Sequence, residues 1–290
     1  MICCEPDKKS HIKTIIDVSH LISKAAKILE SDSTCLTPYK SANSLERLAF
    51  GMERVKSEKA GKNLSIVGWI GKEESLFFWE QNFILVAQWF RQFSEFTELP
   101  MDVKMEILQS AWVVWLRLER LAETVEYQKK HVLGKNVFAF AEGSCMNIEE
   151  LEVDVSWCTN YSFGQIKALM VPDINNFWRH PVEVLFKLYP TNTELNFMLI
   201  QLCLSDAQKK VSLEIRDVIE KLLDIQANNL HDYYIRKMKN PHYSGRLAKM
   251  MKVVQLLEAD ARSQREKVRL AKVFDVFSFE FSHPEMFEIF

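Results

Sequence analysis

LVAQWFRQFSEFTELPMDVKMEIL, residues 85–108, is the stretch on which the reading of this chain turns. Val86, Trp89, Phe90, Phe93 and Phe96 recur at helical spacing and make one apolar stripe, with Gln88, Arg91, Glu95 and Glu98 on the opposite face. Pro100 cannot donate into a helical ladder and restricts the residue before it. The spacing therefore predicts a helix over 76–99 and a new one from Met101. Residues 110–116 (SAWVVWL) of that second helix are apolar on all sides, the pattern of a helix in the middle of a layered bundle. It becomes amphipathic only after Arg117.

Outward from this segment the chain keeps reading as helix. Thr191 or Thr193 can cap a helix through Phe197, Ile200 and Leu204, and Ser212 opens another that runs to Tyr234. Pro241 interrupts. From Gly245 to Phe281 nothing breaks a helix of about 30 residues, roughly 45 Å. Pro284 suits the first turn of a short final helix in the ending HPEMFEIF, residues 283–290. Val137–Phe140, the Glu142-Gly143 turn and the alternation of Leu151–Val155 predict a small hairpin among the helices. Gly61, Gly68 and Gly71 mark a loop. A second helical pattern follows Pro38, carried by Leu45, Leu48, Ala49 and Met52. Residues 1–35 hold one amphipathic pattern (Ile12, Ile16, Leu21, Ile22, Ile28, Leu29) and read as an extension or hinge remnant, so the domain proper is expected over 36–290.

Composition narrows the function classes. The chain has 290 residues, 48% hydrophobic and 26% charged, with a net charge of -2. Nucleic-acid binding needs Lys and Arg clustered on one face, so direct binding by this chain is not expected. The apolar run Ala111–Leu116 is far short of the roughly 18 residues of a membrane span. MICCEPDKKS is not a secretory signal. Cysteines 3, 4, 35, 145, 158 and 203 contain no C-x-x-C pair, which disfavours zinc modules and a disulfide scaffold. The histidines show no metal-binding spacing and no phosphate loop is present, so neither an enzyme nor a cofactor is expected.

Two segments together carry a resemblance. The pattern Trp89, Arg91, Phe96, Glu98-Leu99-Pro100 and the ending Met286-Phe287-Glu288-Ile289-Phe290 resemble the ligand-binding domain of nuclear receptors, closest to the hepatocyte-nuclear-factor-like branch expanded in nematodes. The match is strongest over 76–127 and 176–290. It implies an all-α, three-layered antiparallel sandwich of about eleven to twelve helices with a small β-hairpin. It implies nuclear, and also cytoplasmic, location, transcriptional regulation, and partners that are coactivator or corepressor peptides and other receptors in homo- or heterodimers.

The resemblance also assigns residues. Arg91 would cap the C-terminal carbonyls of a bound coactivator helix, and Glu288 its N-terminal N–H groups. Gln109 stands where relatives often carry a second basic residue, so that half of the clamp is weakened. Met286, Phe287, Ile289 and Phe290 would wall the groove. Phe83, Ala87, Phe90, Trp112, Trp115 and Leu116 would line a pocket for a fatty-acid-like or other apolar ligand, unless the tryptophans fill it. Arg120 reads as a surface partner for a nearby glutamate. Dimerisation would use the exposed face of the long helix, where Arg262, Arg265, Lys267 and Arg269 crowd together. The alternatives are a receptor-like dimerisation module with a filled pocket, and an intracellular lipid carrier, which needs the pocket but not the clamp.

Overall fold

The computed structural model describes residues 13–31, 42–59, 64–141 and 143–288, with residues 54–59 described by backbone alone. Ile12, Cys35, Pro38, Gly61, Glu142, Ile289 and Phe290 lie outside the described residues. Ten α-helices among the described residues carry the fold: α1 (Ser19–Glu30), α2 (Ser44–Lys59), α3 (Lys72–Arg91), α4 (Ser94–Thr97), α5 (Met101–Lys129), α6 (Phe163–Met170), α7 (His180–Leu188), α8 (Asn192–Gln208), α9 (Leu213–Asp232) and α10 (Ser244–Val273). The strands are short: β1 (Thr14–Ile16), β2 (Ser65–Val67), β3 (Trp69–Ile70), β4 (Val137–Ala141), β5 (Ser144–Asn147), β6 (Glu152–Val153) and β7 (Phe279–Phe281). The class is all-α.

The apolar runs explain the layering. α5 packs against α8, and both are buried on most sides, as helices between two others must be. α1 and α3 cover one side, and α7 and α10 the other. At the centre Trp89 meets Trp115 at 5.8 Å and Phe83 meets Trp112 edge-on at 5.7 Å. Trp89 Nε1 donates to Asn196 Oδ1 at 2.8 Å, which satisfies its polar atom inside the core.

Three expectations are corrected. The helix expected over 76–99 is α3, which ends at Arg91; Phe93 then caps the single turn of α4, and Pro100 is the residue before α5. The break comes before the proline, and it lets Phe96 turn inward to pack its ring against both Phe90 and Phe93. Residues 65–70 are not simple loop: β2 pairs in parallel with β5, and β3 with β6. The hairpin forms from β4 and β5, with Gly143 at φ 68, rather than from the Leu151–Val155 segment.

Packing also does not stop at residue 36. Val18, Leu21, Ala25 and Leu29 of α1 and the residue before it enter the common core. β1 pairs in parallel with β7, Thr14 opposite Phe279 and Ile16 opposite Phe281. Lys13 bridges Asp275 and Glu280, each at 2.9 Å, and the Val18 amide donates to Ser282 Oγ at 3.0 Å. The N-terminal segment thus holds the stretch that leads into the chain's final turn.

Candidate functional site

The final turn, Pro284–Phe287, is docked rather than frayed. Met286 and Phe287 are buried, Phe287 stacks on Phe281 at 3.6 Å, and it meets Trp112 edge-on at 5.6 Å and Trp79 at 5.8 Å. Trp112 Nε1 donates to the Met286 carbonyl at 2.8 Å, so α5 reads the backbone of the turn as well as its side chains. Glu288 follows, half-exposed, with Lys210 Nζ at 3.6 Å and Arg265 Nε at 3.8 Å. Lys210 also donates to the Ser110 carbonyl at 3.0 Å, and so brings a cation beside the uncharged, half-buried Gln109. Arg91 is the last residue of α3, half-buried, and Nη1 donates to Ser31 Oγ at 3.1 Å.

A cavity of about 460 Å³ lies between α3, α5, the β4–β5 hairpin, α6, α10 and β7. This is within the range of small-molecule sites, roughly 300–1,000 Å³. The wall is largely aromatic and aliphatic, with Phe78, Trp79, Trp157, Phe177 and Trp178 among its residues, and it includes Phe279 and Phe281 of β7. Phe78 and Phe140 stack at 4.3 Å and separate this cavity from a second recess of about 380 Å³ on the far side of α3.

Of the six residues expected to line a pocket, Leu116 lies on the cavity wall. Phe83, Ala87, Phe90, Trp112 and Trp115 do not: they face α1, α8 and the final turn and are fully buried in the core. The reason is angular. On α5 the cavity takes Val113, Val114, Leu116, Arg117 and Arg120, while Trp112 and Trp115 point to other sides of a helix that is apolar all round. The tryptophans therefore neither line the cavity nor fill it. Ala87→Trp should overpack the core and cost about 1–3 kcal/mol or more. Val113→Trp adds its ring to open space; it should leave the melting temperature nearly unchanged and abolish uptake of a neutral apolar dye such as Nile red. Thermal unfolding and dye titration of the two variants check both outcomes.

The polar groups of the wall escaped the sequence reading. Arg117 Nη2 donates to the Phe177 carbonyl and to Asp260 Oδ2, the latter at 3.3 Å. Its guanidinium lies over the Phe177 ring at 3.9 Å and the Trp178 ring at 4.6 Å. Burial, only partly offset by Asp260, pulls its pKa down to about 10, and burial raises the Asp260 carboxyl above the ordinary value. The available signal was a charged residue directly after the wholly apolar 110–116 run. Arg120 has the expected glutamate partners, Glu123 and Glu119 at 3.5 Å, but is buried rather than on the surface, and also bonds Asn82 Oδ1 at 3.1 Å. Cys158, on the cavity wall, has its thiol pushed up to about 11 by burial and donates to the Val155 carbonyl, so it stays a protonated thiol.

On α10, Arg265 pairs with Asp206 and Lys267 donates to the Met170 carbonyl at 2.9 Å, so two of the four basic residues face inward. Arg262 and Arg269 are exposed, and beside them Leu270, Val273 and Phe274 leave large apolar surfaces in solvent.

Residues 61–274 match the family model of the ligand-binding domain of nuclear hormone receptors. Nuclear hormone receptor family member nhr-133 of Caenorhabditis elegans is 45% identical over 289 residues, which is 99% of this chain and 71% of that protein. Family member nhr-96 of the same organism is 44% identical over 292 residues, 100% of this chain and 72% of that protein. Family member nhr-103 is 43% identical over 289 residues, 99% of this chain and 73% of that protein.

Proposed function

The chain belongs to the nuclear hormone receptor family through its ligand-binding domain, and from that premise we propose that it is a ligand-modulated transcriptional regulator acting in the nucleus. An apolar ligand occupies the 460 Å³ cavity, and coregulator peptides bind a groove between the end of α3 and the final turn. The observation that carries this reading is the shared β7 wall. Phe279 and Phe281 face the cavity, and Phe281 stacks directly on Phe287 of the final turn. A ligand that packs on Phe281 thereby has different contacts when the turn is docked and when it is not, which is what a shift of population requires. The open cavity speaks against a filled-pocket module, and the docked, acid-bearing turn speaks against a simple lipid carrier.

In this reading Arg91 and Glu288 meet opposite poles of a two-turn leucine-x-x-leucine-leucine helix, and Lys210 takes over the charge that Gln109 lacks. Each charge on a helix terminus contributes about 0.3–2 kcal/mol. Arg91→Ala and Glu288→Ala are therefore each expected to weaken binding of a fluorescein-labelled peptide of this type several-fold, with circular dichroism unchanged. Fluorescence anisotropy measures it. Unaltered affinity in both variants would remove the clamp from the mechanism.

A further inference from the structure

The cavity is apolar apart from a few side chains, and both of its arginines already have carboxylate partners. Arg120 has Glu119, Glu123 and Asn82. Arg117 has Asp260, and a second carboxylate, Asp154, stands on the same wall. An incoming ligand thus meets no uncompensated cation. Arg117 does offer it a fixed donor. Arg117 uses Nη2 for Phe177 and Asp260, its Nε is sealed in the protein, and Nη1 has no acceptor among the described residues. The side chain keeps 16% of its surface accessible while packed within the protein interior, as a group at the edge of an internal cavity does. The faces of Phe177 and Trp178 and the Asp260 carboxylate hold the guanidinium in place, so its open N–H groups are presented in one direction.

We propose that the cavity takes an uncharged, largely apolar molecule with a hydrogen-bond acceptor at one end, received by Arg117, and that it discriminates against free carboxylic acids. This rests on the reading of the cavity as the ligand site and deepens it. A carboxylate would bring a second anion to a guanidinium that already has Asp260, at a place where water is scarce and like charges repel strongly. It would crowd a second carboxylate against Asp260, whose side chain keeps only 20% of its surface accessible. A carbonyl, ester or ether oxygen accepts from Nη1 without disturbing the pair. The choice between neutral and anionic ligands is thus made by Asp260, a residue of α10 that follows no motif.

The test compares dodecanoic acid with its methyl ester, two probes of the same chain length that differ in charge. Binding to the whole purified chain at pH 7.5 is followed by quenching of the cavity tryptophans and by calorimetry. The ester should bind at least tenfold more tightly than the acid. Asp260→Asn removes the countercharge and keeps the shape, and should reverse the preference. Arg117→Met combined with Asp260→Leu replaces the pair by apolar groups of similar size and should leave acid and ester both weak, with the fold retained. Tighter binding of the acid by the unmodified protein would overturn the proposal and leave the ligand cavity standing. Binding of neither probe would overturn the ligand-cavity reading and this proposal with it. Equal ester affinity in the double variant would show that Arg117 is not the receiving group and would equally overturn it.

Discussion

Removal of residues 285–290 is expected to abolish binding of coregulator peptides, a loss of at least thirtyfold in affinity, while the helical content stays intact. The turn contributes Met286 and Phe287, at 1% and 4% exposure, to the body of the protein. Without it Trp112 loses the Met286 carbonyl, and Trp112, Trp79 and Phe281 lose the ring that covers them. Burial of two such side chains contributes about 1.5–3 kcal/mol each, so stability should fall by a few kcal/mol without global unfolding. The groove suffers more than the fold, because one wall and the Glu288 charge vanish together. Anisotropy titration of the truncated protein with a leucine-x-x-leucine-leucine peptide measures the effect. Full affinity after truncation would reduce the segment to an ordinary tail and take the proposed mechanism with it.

Glu194→Ala should destabilise the fold by about 1–3 kcal/mol, because Tyr234 and the Thr191 amide lose a buried acceptor while Arg246, 36% exposed, can turn to water. Glu194 is 1% exposed and sits in the first turn of α8, where it accepts from the Thr191 amide at 2.7 Å in a reciprocal cap. It also accepts from Tyr234 Oη and from Arg246, with Arg246 Nη2 at 2.7 Å. Arg246 in turn donates to the Leu188 and Tyr189 carbonyls, each at 3.2 Å. One carboxylate thus ties the end of α7 to the starts of α8 and α10 and to the turn after α9. Burial alone would raise its pKa, but the bonds from Arg246, Tyr234 and Thr191 outweigh that and hold the carboxyl below its ordinary value. The sign follows from linkage. The stabilisation is fully present above the ordinary glutamate pKa and is lost as pH falls through the lower, folded value. Urea unfolding of the unmodified protein and the variant at intervals from pH 7 to pH 3 should show a constant gap at neutral pH that closes only in acid. A gap that does not narrow in acid would show that the charge of Glu194 is not what stabilises this corner.

Much of the architecture was legible from local pattern. The wholly apolar 110–116 run predicted a helix in the middle layer, and α5 lies there; the unbroken stretch after Gly245 predicted α10. The apolar segment behind Pro284 predicted a docked turn, and Met286 and Phe287 are buried. These follow from the sequence because helical periodicity, proline and apolar burial act within a few residues. Which side of an all-apolar helix faces a cavity is a different kind of fact. Phe83, Trp112 and Trp115 have the composition of a pocket wall and form core; Val113 and Arg117, one or two positions away, are the wall. No local signal separates them, because the rotation of α5 is set by what α3, α8 and α10 press against it. The pairing of Arg117 with Asp260, 143 residues later, and of Thr14 with Phe279 likewise exists only once the layers have closed. Sequence patterns determined that this chain builds a layered helical body with a docked end; contacts between segments far apart in the chain decided where its cavity lies and which charged groups stand on its wall.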